Sequence, residues 1–224
     1  KKVVFEEKKY TMAELVDALD RNFEGYEGLL HQLEKAPKFG NDDDYVDLIA
    51  KRILSDAGDY VAQFHTHYGA KFATACFAMT TNVMFGRLVG ALPDGRKAGL
   101  PLSEGGISPY QGRNISGAPA TMRSVAKLDQ VKLALGSILN MRIDPDAVKN
   151  DEKMDRMVSL LRTFCETGGN LVQFNFASNA MLRAAQKDPD QYRDLLVRVA
   201  TYSAFFVELG PETQEDIINR NELE

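Results

Sequence analysis

Apolar residues recur along the 224-residue chain with two different periods, and the changes of period mark out its elements. Leu15, Leu19, Phe23, Tyr26, Leu30 and Leu33 return at steps of three and four, the period of one helix face. Thr11 and Glu14 form a Thr-x-x-Glu capping box just before them, so one helix is predicted over "ELVDALDRNFEGYEGLLHQLE". The loop "APKFGNDDD" caps a second helix, "YVDLIAKRILSDAGDYVAQFHTHYG". The β-branched, aromatic and small residues of "KFATACFAMTTNVMFGRLVGAL" predict one or two buried strands. Further on the periods alternate. "ATMRSVAKLD" reads as a helix, "SILNMRID" as a strand, and "DEKMDRMVSLLRTFCETGG" as a helix closed by Gly168. "NLVQFNFA" reads as a strand and "NAMLRAAQKDPDQYRDLLVRVA" as a helix interrupted near Pro189. "SAFFVEL" is strand-like, and Pro211 opens a last helix with acids in its first turn. Such alternation predicts an α/β fold with a buried parallel sheet.

Between these halves lies "PDGRKAGLPLSEGGISPYQGRNISG", residues 93–117, dense in glycine and carrying Pro93, Pro101 and Pro109. Loops of this length inside a domain usually carry function or lack order. It holds no phosphate-cradling Gly-x-Gly-x-x-Gly after a strand and no Gly-Lys-Ser/Thr. Its Arg96 and Arg113 are the groups that would hold an anion. The competing reading is a loop whose glycines permit tight backbone packing.

Composition narrows the function classes. With 44% hydrophobic and 26% charged residues, the chain reads as soluble and globular. A net charge of −5 and a pI near 5.4 argue against nucleic-acid binding, which needs clustered Lys and Arg. No apolar run reaches bilayer length, and "KKVVFEEKKY" lacks a signal-peptide core, so a cytoplasmic location and no membrane partner are expected. The final "NELE" reads as a polar end. Cys76 and Cys165 are too few for a disulfide framework and are expected to be buried small hydrophobes. No metal is expected. His65 and His67 have no carboxylate or cysteine at ligand spacing, and Asp42, Asp43 and Asp44 read better as a helix start than as a calcium loop.

Two stretches carry a family resemblance. "PDGRKAGLPLSEGGISPYQGRNISGAPATMRSVAKLD", followed by "LLVRVATYSAFFVELGPETQEDIINR", resembles the C-terminal region of glycyl radical enzymes, the pyruvate formate-lyase and glycerol dehydratase-like family. "KKYTMAEL" and "KFGNDDDYVDLIAKR" are similar to family segments upstream, so the resemblance spans the chain. "GGISP" and "SAFFVEL" are closer to the dehydratase-like branches.

The resemblance implies the second half of a ten-stranded α/β barrel plus a C-terminal glycine radical domain, divided as residues 1–92 and 93–224. It implies anaerobic lyase or dehydratase chemistry with an organic radical stored on the protein and no other cofactor bound. A radical S-adenosylmethionine activating enzyme would install that radical. The family motif resembles Arg-Val-x-Gly-Tyr. Arg198, Val199, Ala200 and Tyr202 match it, with Ser203 following, and Thr201 stands at the glycine position. Ser108, Arg96 and Arg113 are the candidates for shaping the glycine-rich loop beside the site.

Thr201 departs from the pattern in a way that matters. Only glycine has two α-hydrogens and no Cβ, and a β-branched residue crowds a radical that must be planar to delocalise. The family's Gly-Cys-x-Glu-like loop has no counterpart among these 224 residues. The expectation is therefore the C-terminal portion of a lyase cleaving a C–O, C–N or C–C bond in a small polar substrate, inactive alone. It would need a chain, or a missing N-terminal half, carrying the cysteine loop, and its open barrel edge would favour homo-oligomers. The alternatives are a degenerate, partner-binding paralogue and, outside the family, a plain α/β domain that holds an anion.

Overall fold

A computed structural model describes residues 1–104, 106–220 and the backbone of 222–223. Gly105 of "GGISP" and two residues of the final "NELE" lie outside the described residues. In chain order the elements are α1 (Met12–Asp20), α2 (Glu27–Lys35), α3 (Asp44–Val61), α4 (Thr81–Leu88) and α5 (Gly117–Ala126). β1 (Leu139–Ile143), α6 (Asp151–Glu166), β2 (Val172–Phe176) and α7 (Asn179–Lys187) follow. The chain then forms β3 (Leu196–Arg198), β4 (Ser203–Phe205), α8 (Pro211–Asn219) and β5 (Glu222–Leu223). These divide into two compact units, residues 1–37 with 81–102, and residues 38–80 with 103–224. No helix among the described residues is long and apolar enough to cross a membrane.

In the first unit the capping box forms. The Thr11 hydroxyl accepts from the Glu14 amide at 3.2 Å, and the Glu14 carboxylate accepts from the Thr11 amide at 2.7 Å. The single helix expected over residues 14–34 is two. α1 stops at Asp20, and Asn22, Phe23 and Gly25 take positive φ. The break swings Phe23 inward, where it is buried with Leu15, Ala18, Leu29 and Leu33. The apolar stripe is shared across a turn because both flanking helices need Phe23 as filler.

Residues 81–88 also correct the sequence reading. They form α4 and not a strand, and Met84, Phe85 and Leu88 are exposed. Composition suggested β structure there, but the return loop packs on a helical face. A Cβ on Gly86 would lie 2.3 Å from the Leu100 carbonyl oxygen.

The second unit is α/β. Its parallel sheet has the order β2-β1-β5, with Leu139 beside Val172 and Ile143 beside Phe176. α5 and α6 cover it through Met122, Val125, Met157 and Phe164, which pack with Leu139, Met141 and Ile143. Each such buried side chain contributes about 1.5–3 kcal/mol. Two residues past Glu166 the chain leaves α6 through Gly168, whose φ of +108 is a conformation that glycine adopts without strain. A second core gathers Leu182, Ala185, Val197, Val199, Phe206 and Ile217 around the antiparallel β3–β4 hairpin.

Three further expectations are corrected here. Residues 196–198 are strand and not helix, because Val197 and Val199 alternate with Arg198 and bury only their own side. Around Cys76 the predicted strand shrinks to one parallel bridge with Ser137, and Phe72, Phe77 and Met79 are exposed. Cys165 is exposed, on the outer face of α6, and not buried.

At the start of α3, Asp43 caps the helix by accepting from the Tyr45 amide at 2.9 Å. Its neighbours Asp42, Asp44 and Asp47 surround the Lys127 ammonium at 2.8, 2.7 and 2.9 Å. Burial opposes the Lys127 charge, but these three carboxylates outweigh it and raise its pKa. The Asp42 carboxyl is held below the usual range, first by its hydrogen bond to Lys127.

Candidate functional site

The segment of interest is the connection between β3 and β4. Among the described residues β3 has no backbone ladder to the parallel sheet, and a side chain supplies the link. Asn175 of β2 accepts from the Arg198 amide through Oδ1 at 2.5 Å and donates from Nδ2 to the Arg198 carbonyl at 2.7 Å. One carboxamide thus satisfies both backbone groups of one residue, as a neighbouring strand would.

The Arg198 side chain points back to β2 and across the hairpin. Its Nε donates to Gln173 Oε1 at 2.8 Å, and Nη1 donates to the Ser203 hydroxyl at 3.3 Å. Arg198 and Ser203 are register partners. Beyond them the Val199 amide donates to the Tyr202 carbonyl at 2.9 Å and closes the loop. Val199 and Ala200 are buried, whereas Thr201, Tyr202 and Ser203 are exposed. The positive-φ non-glycine residues among those described are Lys8, Asn22, Phe23 and Asp42, so Thr201 sits in backbone conformation ordinary for an L-residue. Arg198, Val199, Thr201, Tyr202 and Ser203 therefore converge in one hairpin, with position 201 at its exposed tip.

The three residues singled out in the glycine-rich loop have different partners. Arg96 belongs to the first unit and is 1% exposed. Its Nε donates to the carbonyls of Leu100 (3.0 Å) and Pro101 (3.2 Å), Nη1 to that of Gly90 (2.8 Å), and Nη2 to that of Gly86 (2.7 Å). Its guanidinium is closed to solvent and spent on backbone, so at Arg96 the loop is of the tightly packed kind and not an anion holder. Arg113 contributes backbone, accepting from Asn41 Nδ2 at 2.8 Å. Ser108 docks on the sheet. Its hydroxyl accepts from the Asn140 amide at 2.9 Å and donates to Glu104, whose other oxygen takes Asn140 Nδ2 at 2.9 Å.

Asn140, Gln173 and Asn175 escaped the sequence reading, as did Arg142 in β1. They share one face of the β1–β2 pair, since Asn140 lies beside Gln173 and Arg142 beside Asn175. That polar face receives Ser108 through Asn140 and Arg198 through Gln173 and Asn175. Arg142, 2% exposed, donates to Asn179 at 2.7 Å and to the Ile218 carbonyl at 3.2 Å. A signal was available. Buried parallel strands usually run continuously apolar, and "LNMRI" and "VQFNF" both alternate.

Burial raises the Cys76 thiol pKa, which disfavours thiolate.

The hairpin lies within a segment that matches a known family. The Pyruvate formate lyase-like family matches residues 1–86, and the Glycine radical family matches residues 103–207. The trans-4-hydroxy-L-proline dehydratase of Clostridioides difficile is 40% identical over 220 residues, covering 98% of this chain and 28% of the relative. An isethionate sulfite-lyase of Nitratidesulfovibrio vulgaris is 41% identical over 222 residues, covering 98% and 27%. Among solved structures, the glycerol-bound B12-independent glycerol dehydratase from Clostridium butyricum superposes with a TM-score of 0.94 at 41% identity, over 100% of this chain and 28% of that one. Hydroxyproline dehydratase from C. difficile gives 0.92 at 40%, over 98% and 28%. The chain thus spans little more than a quarter of the length of these relatives. In both of its parts and in its α/β fold, this chain belongs to the glycyl radical enzyme family.

Proposed function

We propose that this chain is the C-terminal portion of a glycyl radical lyase, with residues 1–92 contributing to the barrel and 93–224 forming the glycine radical domain. Its chemistry belongs to a larger assembly. The observation that carries this reading is the hairpin tip, where Arg198, Val199, Tyr202 and Ser203 frame position 201 and threonine occupies it. A threonine α-carbon carries one hydrogen and a branched side chain. Removing that hydrogen leaves a crowded tertiary centre in place of the unhindered one glycine provides.

The relatives are named for hydroxyproline, glycerol and isethionate, all small polar molecules that lose a hydroxyl or sulfite group. We place the substrate of the larger assembly in that class. A companion chain or the missing N-terminal half would supply the cysteine loop, and a radical S-adenosylmethionine enzyme would act on the exposed tip. The second reading, a degenerate paralogue that keeps the fold and binds a partner, is favoured by how easily Thr201 fits. It is exposed and free of backbone strain.

Anaerobic incubation of the 224-residue chain with a radical S-adenosylmethionine activating enzyme and reductant, followed by EPR and product analysis with glycerol and hydroxyproline, tests the proposal. The expected result is neither radical nor product. Turnover by this chain alone would overturn it.

A further inference from the structure

We infer that Asn175 is the positioning residue of the hairpin tip, and that Gln173 assists it by orienting the Arg198 guanidinium. This rests on reading residues 198–203 as the radical loop. Its first arm, however, stands without that reading.

Register is the quantity at stake. In a two-stranded hairpin a one-residue slip moves every side chain to the opposite face and a different residue to the tip. Val197 and Val199, 1% and 0% exposed, resist such a slip from the core side. On the other side only Arg198 is held, and it is held at backbone and side chain together. Asn175 is 8% exposed, so its two bonds are largely shielded from competing water. No other side chain of this size offers both an acceptor and a donor in one plane. Aspartate lacks the donor, alanine lacks both, and glutamine places them one methylene further out. Gln173 and Ser203 then fix the guanidinium from either side. The result is a tip whose position relative to β2 is set three residues before Thr201. The same polar face receives Ser108 through Asn140, so the glycine-rich loop and the hairpin are referenced to one pair of strands.

The test is residue-resolved amide hydrogen exchange on the whole chain, wild type against Asn175→Ala and the milder Asn175→Asp. The Arg198 and Val199 amides are expected to lose protection at least tenfold in Asn175→Ala, and by less in Asn175→Asp, which keeps an acceptor for the Arg198 amide but loses the donor to its carbonyl. Leu139, whose amide donates to Leu171 within the sheet, should be unchanged. Unchanged exchange at Arg198 and Val199, or equal loss at Leu139, would overturn the inference, the latter by showing that Asn175 merely holds the fold. A second arm adds either variant to Thr201→Gly in the reconstituted, activated complex. Radical yield by EPR is expected to fall several-fold relative to Thr201→Gly alone. An undiminished yield would also overturn the positioning role. If Thr201→Gly alone forms no radical, it is the radical-loop reading that fails, and the exchange data by themselves decide the role of Asn175.

Discussion

Two arginines in glycine-family motifs of this chain have opposite fates. Arg96 is buried and its guanidinium serves the carbonyls of Gly86, Gly90, Leu100 and Pro101, so the loop around it is cemented from within. Arg198 is half-buried and is itself served, with Asn175 on its backbone and Gln173 and Ser203 at its side chain. The first arrangement makes a rigid loop with nothing left to offer a ligand. The second fixes one residue firmly and leaves the next few exposed. Residue type and neighbouring glycines do not separate the two. The separation comes from whether the donors meet carbonyls of their own loop or side chains of another element.

The strongest way to break this contrast is Arg96→Met. It removes the buried guanidinium that serves the carbonyls of Gly86, Gly90, Leu100 and Pro101, and a loss of about 3–5 kcal/mol is expected from chemical denaturation, with Arg96→Lys recovering less than half for want of a planar fork. A loss below 1 kcal/mol would place Arg96 among ordinary surface arginines. Lys127→Met is intermediate. It removes the counter-charge of the fully buried Asp47, but Lys127 keeps a side-chain exposure of 26%, so about 2 kcal/mol is expected.

The same pair of proteins carries a pH signature. The Asp42 pKa is lowered in the folded state, so its stabilisation is present at neutral pH and is lost as pH falls below the unfolded carboxylate value of about 4. Acid titration of stability should therefore be steeper below that pH in wild type than in Lys127→Met. Gly86→Ala follows at about 1–3 kcal/mol, because its Cβ would meet the Leu100 oxygen at 2.3 Å and the Pro101 Cα at 2.8 Å, both backbone. Ser203→Ala sharpens the contrast from the other end. It removes one 3.3 Å bond at an exposed position, and a change within about 0.5 kcal/mol is expected in the same denaturation assay.

Much of the second unit was legible in the sequence, for local reasons. α5, β1, α6, β2 and α8 each carry their own period, and α6 its own cap, Asn150, which accepts from the Lys153 amide at 3.0 Å. The failures are places where distant residues decide. Phe23 leaves its helix to fill a core it shares with Leu15 and Leu29. Residues 81–88 are helical beneath a loop that returns from Leu100. Residues 196–198 become a strand because residues 203–205 pair with them, Val197 and Val199 bury their own side, and Asn175 holds Arg198. The hairpin motif could be seen because its residues are contiguous. The polar face that holds it could not be assigned, since an asparagine in "VQFNF" acquires meaning only when Arg198 folds against it.

The most direct test of the central claim, that Thr201 occupies an intact radical loop, is EPR after anaerobic activation of the chain together with a companion carrying the cysteine loop, threonine against Thr201→Gly. The account expects a silent wild type and a glycine-centred radical in the variant, since one side chain is all that separates the two. A radical at position 201 in the wild type, or a silent variant whose hairpin exchange pattern is native, would contradict it.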